Sequence, residues 1–332
     1  GVRGQFAWEP SDDLKLRLIA DYEEIDEKCC GVANLVDGPT GIAVRLVGGQ
    51  MVPNDAFAYQ NYYDFDPTNE IENSGVSLQL DYTFGNDILL TSITAYREQA
   101  RLDNADVDFT SAQMVGINEG DTEIDTFTQE FRFSQSVGNV DWMVGAMYFS
   151  EDVSYDNTIA YDNAFRPYAD IISMGGVTTL EQTMQGLGLL PAGVSFFGAG
   201  QGTMEFAGQE DETISLFGQV DWHVTDRLTL TGGLNYTSVE KDAFLSQVNT
   251  DVFSSVDLVQ VGFGAAFFGL TGLPPTPENI FGNPQQAAAA AQFSVTECTP
   301  DTGPACNPTL ALQPFQFLPP TPAYPNSCLL YT

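Results

Sequence analysis

The 332 residues, 43% of them hydrophobic, suffice for one large domain or two ordinary ones. No run of about eighteen apolar residues occurs, which excludes a transmembrane helix. A net charge of −34, from 11 Lys and Arg against 45 Asp and Glu, excludes nucleic acid as a partner, because phosphate neutralisation needs a basic face.

Taken in chain order, the strongest signal is apolar and polar residues alternating with period two. Arg3–Trp8 leads to a turn at Glu9–Asp13, and Leu14, Leu16, Leu18, Ala20 and Tyr22 then share one face. Val76, Leu78, Leu80, Tyr82 and Phe84 alternate with Ser77, Gln79, Asp81 and Thr83, turn at Gly85-Asn86-Asp87 and return over Ile88–Arg97. Phe127, Phe131 and Phe133 lead to a turn at Val137-Gly138-Asn139 and to Trp142, Val144, Ala146 and Tyr148. Ile214–Val224 and Leu228–Thr237 form a fourth hairpin about Thr225-Asp226. The hairpins are expected at about 1–25, 73–100, 122–154 and 211–241.

These strands exceed the ~5–6 residues usual in soluble sheets and match the ~9–11 that cross a bilayer. Aromatic residues gather toward strand ends (Trp8, Tyr22, Tyr96, Trp142, Tyr148, Trp222), as interfacial girdles require. The connectors fall into two classes: tight turns on one rim, and long segments at about 26–72, 101–121, 155–210 and 242–332 on the other. The expected fold class is therefore all-β: an antiparallel up-and-down transmembrane β-barrel with long extracellular loops, in a bacterial outer membrane. Within the loops, Thr178 with Glu181 reads as a capping box, and Thr276-Pro277 and Asn283-Pro284 read as helix starts. The second of these opens an Ala-rich helix over Gln285–Gln292; otherwise 242–332 reads as extracellular loop.

The acidic excess reads either as a solvated surface or as attraction for cationic or metal-bearing ligands. Asp103, Asp106 and Asp108 crowd one loop, where calcium is conceivable but the EF-hand pattern fails, so no metal site is assigned. Tyr59, Tyr62, Tyr63 and Phe65 are candidate ligand-contacting loop residues, with loop packing as the other reading. His223 is the lone histidine, on a polar face beside a turn, so no catalytic arrangement can be built around it. No enzyme activity, cofactor or catalytic residue is assigned. Of the five cysteines, Cys298 and Cys306 are expected to close a small disulfide loop, whereas adjacent Cys29 and Cys30 are expected to pair elsewhere. Gly1 in place of Met, and an abrupt end after Cys328, predict truncation at both ends.

Several strings resemble TonB-dependent receptors, the iron-complex class in particular. Phe217–Trp222 with Thr225–Thr237 is similar to a mid-barrel hairpin of that family, with Asn235 where the family usually carries Arg. Leu90–Arg97, and Phe127–Ser134 with Val140–Phe149, resemble earlier strands. The resemblance implies about eight strands of a larger barrel, with the family's plug domain absent here. It also implies outer-membrane lipid, TonB and a siderophore or similar small ligand as partners of the intact receptor. Gln79, Asp81, Gln219, Asp221 and Asn235 would face the plug. The implied function is TonB-coupled uptake of a ferric siderophore, with a passive porin or adhesive barrel as the alternative.

Overall fold

A computed structural model describes the chain except residues 33–36, 53–56, 58, 300–301, 303–304 and 317–332. Eight strands form one antiparallel sheet in chain order: β1 (Val2–Ser11), β2 (Leu14–Glu27), β3 (Thr68–Thr83), β4 (Leu89–Asn104), β5 (Val115–Val137), β6 (Val140–Tyr161), β7 (Gly202–Thr225) and β8 (Leu228–Asn249). Neighbours in sequence are neighbours in the sheet, the up-and-down pattern. The sheet is unclosed, with β1 and β8 at its edges, and is thus part of a barrel.

Register explains why the faces sort. Leu16, Leu80, Ser92, Phe131, Ala146, Leu216 and Tyr236 stand opposite one another strand by strand, and the rows on either side are also largely apolar. This face is exposed: Leu216 is 54% and Leu230 51% accessible. In water such a continuous apolar surface is a liability; against lipid tails it is the required one. The apolar belt on β2 runs from Leu14 to Tyr22 and on β8 from Leu228 to Tyr236, about nine residues each, enough to cross the hydrocarbon.

The strands continue well past that belt, which corrects the loop boundaries of about 26–72, 101–121, 155–210 and 242–332. The long connections are 28–67, 105–114, 162–201 and the segment after Asn249. The ladder persists while carboxylates replace apolar residues on the exposed face, so hydrophobic alternation fades before the hydrogen bonding does. At the other rim the turns are Asp12-Asp13, Phe84–Ile88, Gly138-Asn139 and Asp226-Arg227. Gly138 takes φ +61°, the conformation that tight hairpins ask of glycine. The first turn is shorter than Glu9–Asp13, because β1 continues to Ser11 past an irregularity between Trp8 and Ser11. Pro10, which has no N–H to donate, sits there, as proline at sheet edges and bulges does.

The long connections build helices of their own: α1 (Pro39–Leu46), α2 (Phe165–Ile172), α3 (Gly176–Gly186), α4 (Leu258–Thr271), α5 (Pro277–Gly282) and α6 (Pro284–Ser294). The segment after β8 is therefore largely helical in its described part. Helix α4 was missed because LVQVGFGAAFFGLT is apolar on most sides, which hides any helical period. It starts at Asp257, whose side chain accepts from the Gln260 N–H, and stops at Gly272 with φ +70°. Thr276 caps α5 through the Asn279 N–H, as expected. Asn283 precedes α6 but makes no side-chain cap; its amide instead donates back to the Asn279 carbonyl at 2.9 Å. The Thr178–Glu181 capping box also fails. The helix begins earlier, at Gly176, so Thr178 lies inside it and both side chains serve Arg166.

Two small cores hold these loops together. Met184, Leu190, Phe196, Phe253, Val256, Leu258, Val261 and Leu310 join the 162–201 connection to the segment after β8. Val44, Ala112 and Met114, with Phe165 and Tyr168 against them, join the 28–67, 105–114 and 162–201 connections. A chain of rings links the two: Phe165 stacks on Tyr161 at 4.2 Å and meets Phe197 edge-on at 5.3 Å, and Phe197 lies 5.2 Å from Phe253.

Candidate ligand-facing surfaces

The second face of the sheet is polar, and several of its charges are paired. Asp21, Gly75 and Arg97 share one row across β2, β3 and β4. Arg97 Nη2 reaches over Gly75 to both Asp21 oxygens, at 2.9 and 2.7 Å. A Cβ at position 75 would stand 2.8 Å from that nitrogen, so the bridge requires glycine between its ends. Arg101 pairs with Asp103 at 3.1 Å, Arg132 with Glu130 at 2.7 Å and Lys241 with Asp211 at 2.5 Å. A local network occurs twice: Gln79 donates to Asp81 and Gln219 to Asp221, and Thr91 and Thr231 donate to the same aspartates, each at 2.6 Å. Asn235 shares this face, opposite Phe217. His223 lies on the same side near the short-turn rim, with Nε2 2.7 Å from Asp141 and Nδ1 2.9 Å from Thr229.

On the loop side, Tyr59 is 92% exposed, with φ +52°. Tyr62, Tyr63 and Phe65 are half-buried. Tyr63 lines a cleft of about 560 Å³ with Asp64, Val47, Ser111, Asn163 and Ile171, drawn from three connections. Asp106 and Asp108 share the 105–114 loop, but Asp103 does not: it lies on β4, held by Arg101. Asp64 takes its place. Asp64, Asp106 and Asp108 each bring a carboxylate oxygen within 4.8 Å of the others. Asp106, 2% exposed, accepts from the Asp64, Asp108 and Phe109 N–H groups and so ties the 28–67 loop to the 105–114 loop. The sequence signal for Asp64 was its place among aromatics, Tyr62-Tyr63-Asp64-Phe65, which draws the chain inward.

Burial pushes the Asp64 carboxyl up to about 7, and the charges of Asp106 and Asp108 add to it. Burial pushes Asp108 up to about 6, against the opposing Thr110 hydroxyl bond. Raised carboxyl values mean that this junction is most stable below the ordinary value of 3.8, where unfolded carboxyls are also protonated, and loses stability as pH rises through about 6 to 7. The loss is roughly 2 kcal/mol after solvent screening. Hydrogen exchange of the Asp64 and Phe109 amides should show protection falling across that window, and Asp64→Asn should flatten the dependence. Unchanged protection from pH 5 to 8 in the unaltered protein would refute it.

Cys298 and Cys306 are bonded, with a Cα separation of 4.9 Å. The expectation for Cys29 and Cys30 is corrected: they bond each other. The other two described cysteines sit in the segment after β8 and satisfy one another; Cys328 lies outside the described residues.

The family model described as "TonB dependent receptor-like, beta-barrel" matches residues 33–271. The chain belongs to that family. TonB-dependent receptor barrels are outer-membrane transport proteins, and the apolar belt of this chain accordingly faces outer-membrane lipid. Among solved structures, the chain is similar to the ferric yersiniabactin uptake receptor FyuA from Yersinia pestis, at 14% identity and a TM-score of 0.42, covering 75% of this chain and 38% of that one. It is also similar to BauA, the ferric preacinetobactin receptor from Acinetobacter baumannii, at 12% identity and a TM-score of 0.39, covering 75% and 36%. For the siderophore receptor PiuA from Acinetobacter baumannii the figures are 10%, 0.35, 73% and 39%. The chain thus spans well under half of the length of these receptors. No curated protein matches it.

Proposed function

We propose that the receptor carrying this sheet takes up a scarce ligand, a ferric siderophore or similar iron complex, with energy supplied through TonB. Membership of the TonB-dependent receptor barrel family carries the reading. The ligand class follows the resemblance of the strand strings to iron-complex receptors. Ligand would meet Tyr59, Tyr62, Tyr63 and Phe65 on the loops, where aromatic faces give contact area at small entropic cost. The polar inner face would lie against the plug. No bond is made or broken in such a cycle: the work is binding outside and release inside.

The test is growth and uptake in a strain deleted for the intact receptor, supplied with single defined ferric chelates. Uptake should fail for one chelate and return with the restored gene. It should stop when the inner-membrane proton gradient is collapsed, whereas a passive pore would continue. Replacing Tyr59, Tyr62, Tyr63 and Phe65 together by Ala should weaken ligand binding by about tenfold or more, the ratio that 1.4 kcal/mol sets. Uptake indifferent to both the gradient and the aromatic substitutions would sink the proposal.

A further inference from the structure

The 28–67 and 105–114 connections meet at three carboxylates, Asp64 from the first and Asp106 and Asp108 from the second. Each brings an oxygen within 4.8 Å of the others. Like charges at that spacing call for compensation, and no side chain supplies it. None of the ion pairs among the described residues involves Asp64, Asp106 or Asp108. Basic side chains of the neighbouring segments are spent elsewhere: Lys28 on Asp66, Arg45 on Asp37 and Arg101 on Asp103.

Two of the oxygens are also stranded. Asp64 Oδ1 and Asp108 Oδ2 are shut off from solvent, and neither accepts a hydrogen bond from any described residue. An anionic oxygen removed from water without a partner is costly, and a bound cation is the partner that suits it. The rest of the cluster is held in place by the loops. Asp106, almost wholly buried, accepts from three backbone N–H groups, and Asp108 Oδ1 accepts from the Thr110 N–H at 3.0 Å and its hydroxyl at 2.7 Å. The loop donors thus fix the carboxylates while two shielded oxygens stay unclaimed. Asp64 lines the 560 Å³ cleft beside Tyr63, which brings solvent to the edge of the cluster and gives an ion a way in.

We infer that Asp64, Asp106 and Asp108 bind one calcium ion, which clasps the 28–67 loop to the 105–114 loop. Two oxygens on one Ca²⁺ stand at most about 5 Å apart, which the spacing of the three satisfies. No cysteine or histidine joins the cluster, so the donors are the hard oxygens that Ca²⁺ takes. Ligands on two separate loops suit Ca²⁺ better than Mg²⁺, which demands a near-ideal octahedron. Without the ion, repulsion weakens the junction as the carboxylates ionise; with it, the junction is held. Asp64 belongs to Tyr62-Tyr63-Asp64-Phe65, so the ion would also fix the segment that carries these aromatic side chains. The inference is independent of the ligand that the receptor carries.

The test uses the intact receptor in detergent near neutral pH, stripped of metal with a chelator. Added Tb³⁺, a luminescent stand-in for Ca²⁺, should be sensitised by Tyr62 and Tyr63 beside Asp64, and Ca²⁺ should displace it. Ca²⁺ at about ten times its dissociation constant should slow exchange of the Asp64 and Phe109 amides by about tenfold. Asp108→Asn removes a ligand charge while its remaining oxygen can keep the Thr110 bonds, so the loop should fold and Ca²⁺ affinity should fall by about tenfold or more. Asp64→Asn should do the same, whereas Asp103→Asn, on β4, should leave Ca²⁺ affinity unchanged. The inference is overturned if Ca²⁺ fails to displace Tb³⁺, or if Asp108→Asn and Asp64→Asn bind Ca²⁺ as the unaltered protein does. It is equally overturned if Asp103→Asn weakens binding as much as they do, or if acid slows exchange of the two amides and Ca²⁺ does not, which would put a shared proton in the ion's place.

Discussion

Leu216→Arg should destabilise the barrel by about 2–4 kcal/mol, while Ser215→Arg, one residue away, should be tolerated. The side chains point to opposite faces. Leu216 stands between Ala146 and Tyr236 within the apolar belt, 54% exposed to what will be lipid. Ser215 lies on the polar face, its hydroxyl 3.0 Å from that of Thr237. Arginine at mid-depth on a lipid face costs about 2–4 kcal/mol, whereas on the inner face it meets water and carboxylates. Denaturant titration of the intact receptor in lipid vesicles reads the difference. Equal losses for the two variants, or a larger loss for Ser215→Arg, would mean that the faces are assigned the wrong way round.

Arg166→Met should open the helical part of the extracellular cap. Arg166 on α2 pairs with Glu181 on α3 at 2.5 Å and donates to Thr178 Oγ1 at 2.9 Å. The Glu181 side chain is only 8% exposed, and its other oxygen accepts from the Phe196 N–H at 2.7 Å, beside the larger of the two loop cores. Removing the arginine leaves a carboxylate enclosed without its counter-charge, a loss of about 3 kcal/mol, or roughly a hundredfold in the opening equilibrium. The substitution should expose the 162–201 loop to limited proteolysis while the sheet stays intact. Adding Glu181→Gln should return part of the stability, because the orphaned charge is then gone. Arg45→Met provides the contrast. Its partner Asp37 is bound at a partly exposed site, where an ion pair contributes less than about 1 kcal/mol. Equal protease sensitivity for the Arg45 and Arg166 variants would refute the buried-pair account.

The order and pairing of the strands, the tight turns expected at Val137-Gly138-Asn139 and Thr225-Asp226 and found within a residue of there, and the lipid face were legible in the sequence. Each rests on short-range regularity: a side-chain period of two, and turn residues with few alternatives. The same rule explains where reading failed. Beyond Tyr22, Tyr96 and Tyr148 the strands continue with Glu, Asp, Ser and Asn outward, so the period persists in geometry while its hydrophobic contrast disappears. Strand ends read from hydropathy therefore mark the membrane edge rather than the end of hydrogen bonding.

The sequence by itself determined that a sheet of membrane-spanning hairpins forms and which face meets lipid, because those properties depend on residues one or two apart. Only the tertiary structure decided that Asp64 joins Asp106 and Asp108 from a loop some forty residues earlier in the chain. It likewise decided that Thr178 and Glu181 serve Arg166 instead of capping their own helix, that Cys29 bonds Cys30, and that the first carboxylates above the belt stand opposed across adjacent strands. These depend on register and on loop packing, where the partner is set by what folding brings near rather than by what the chain places next.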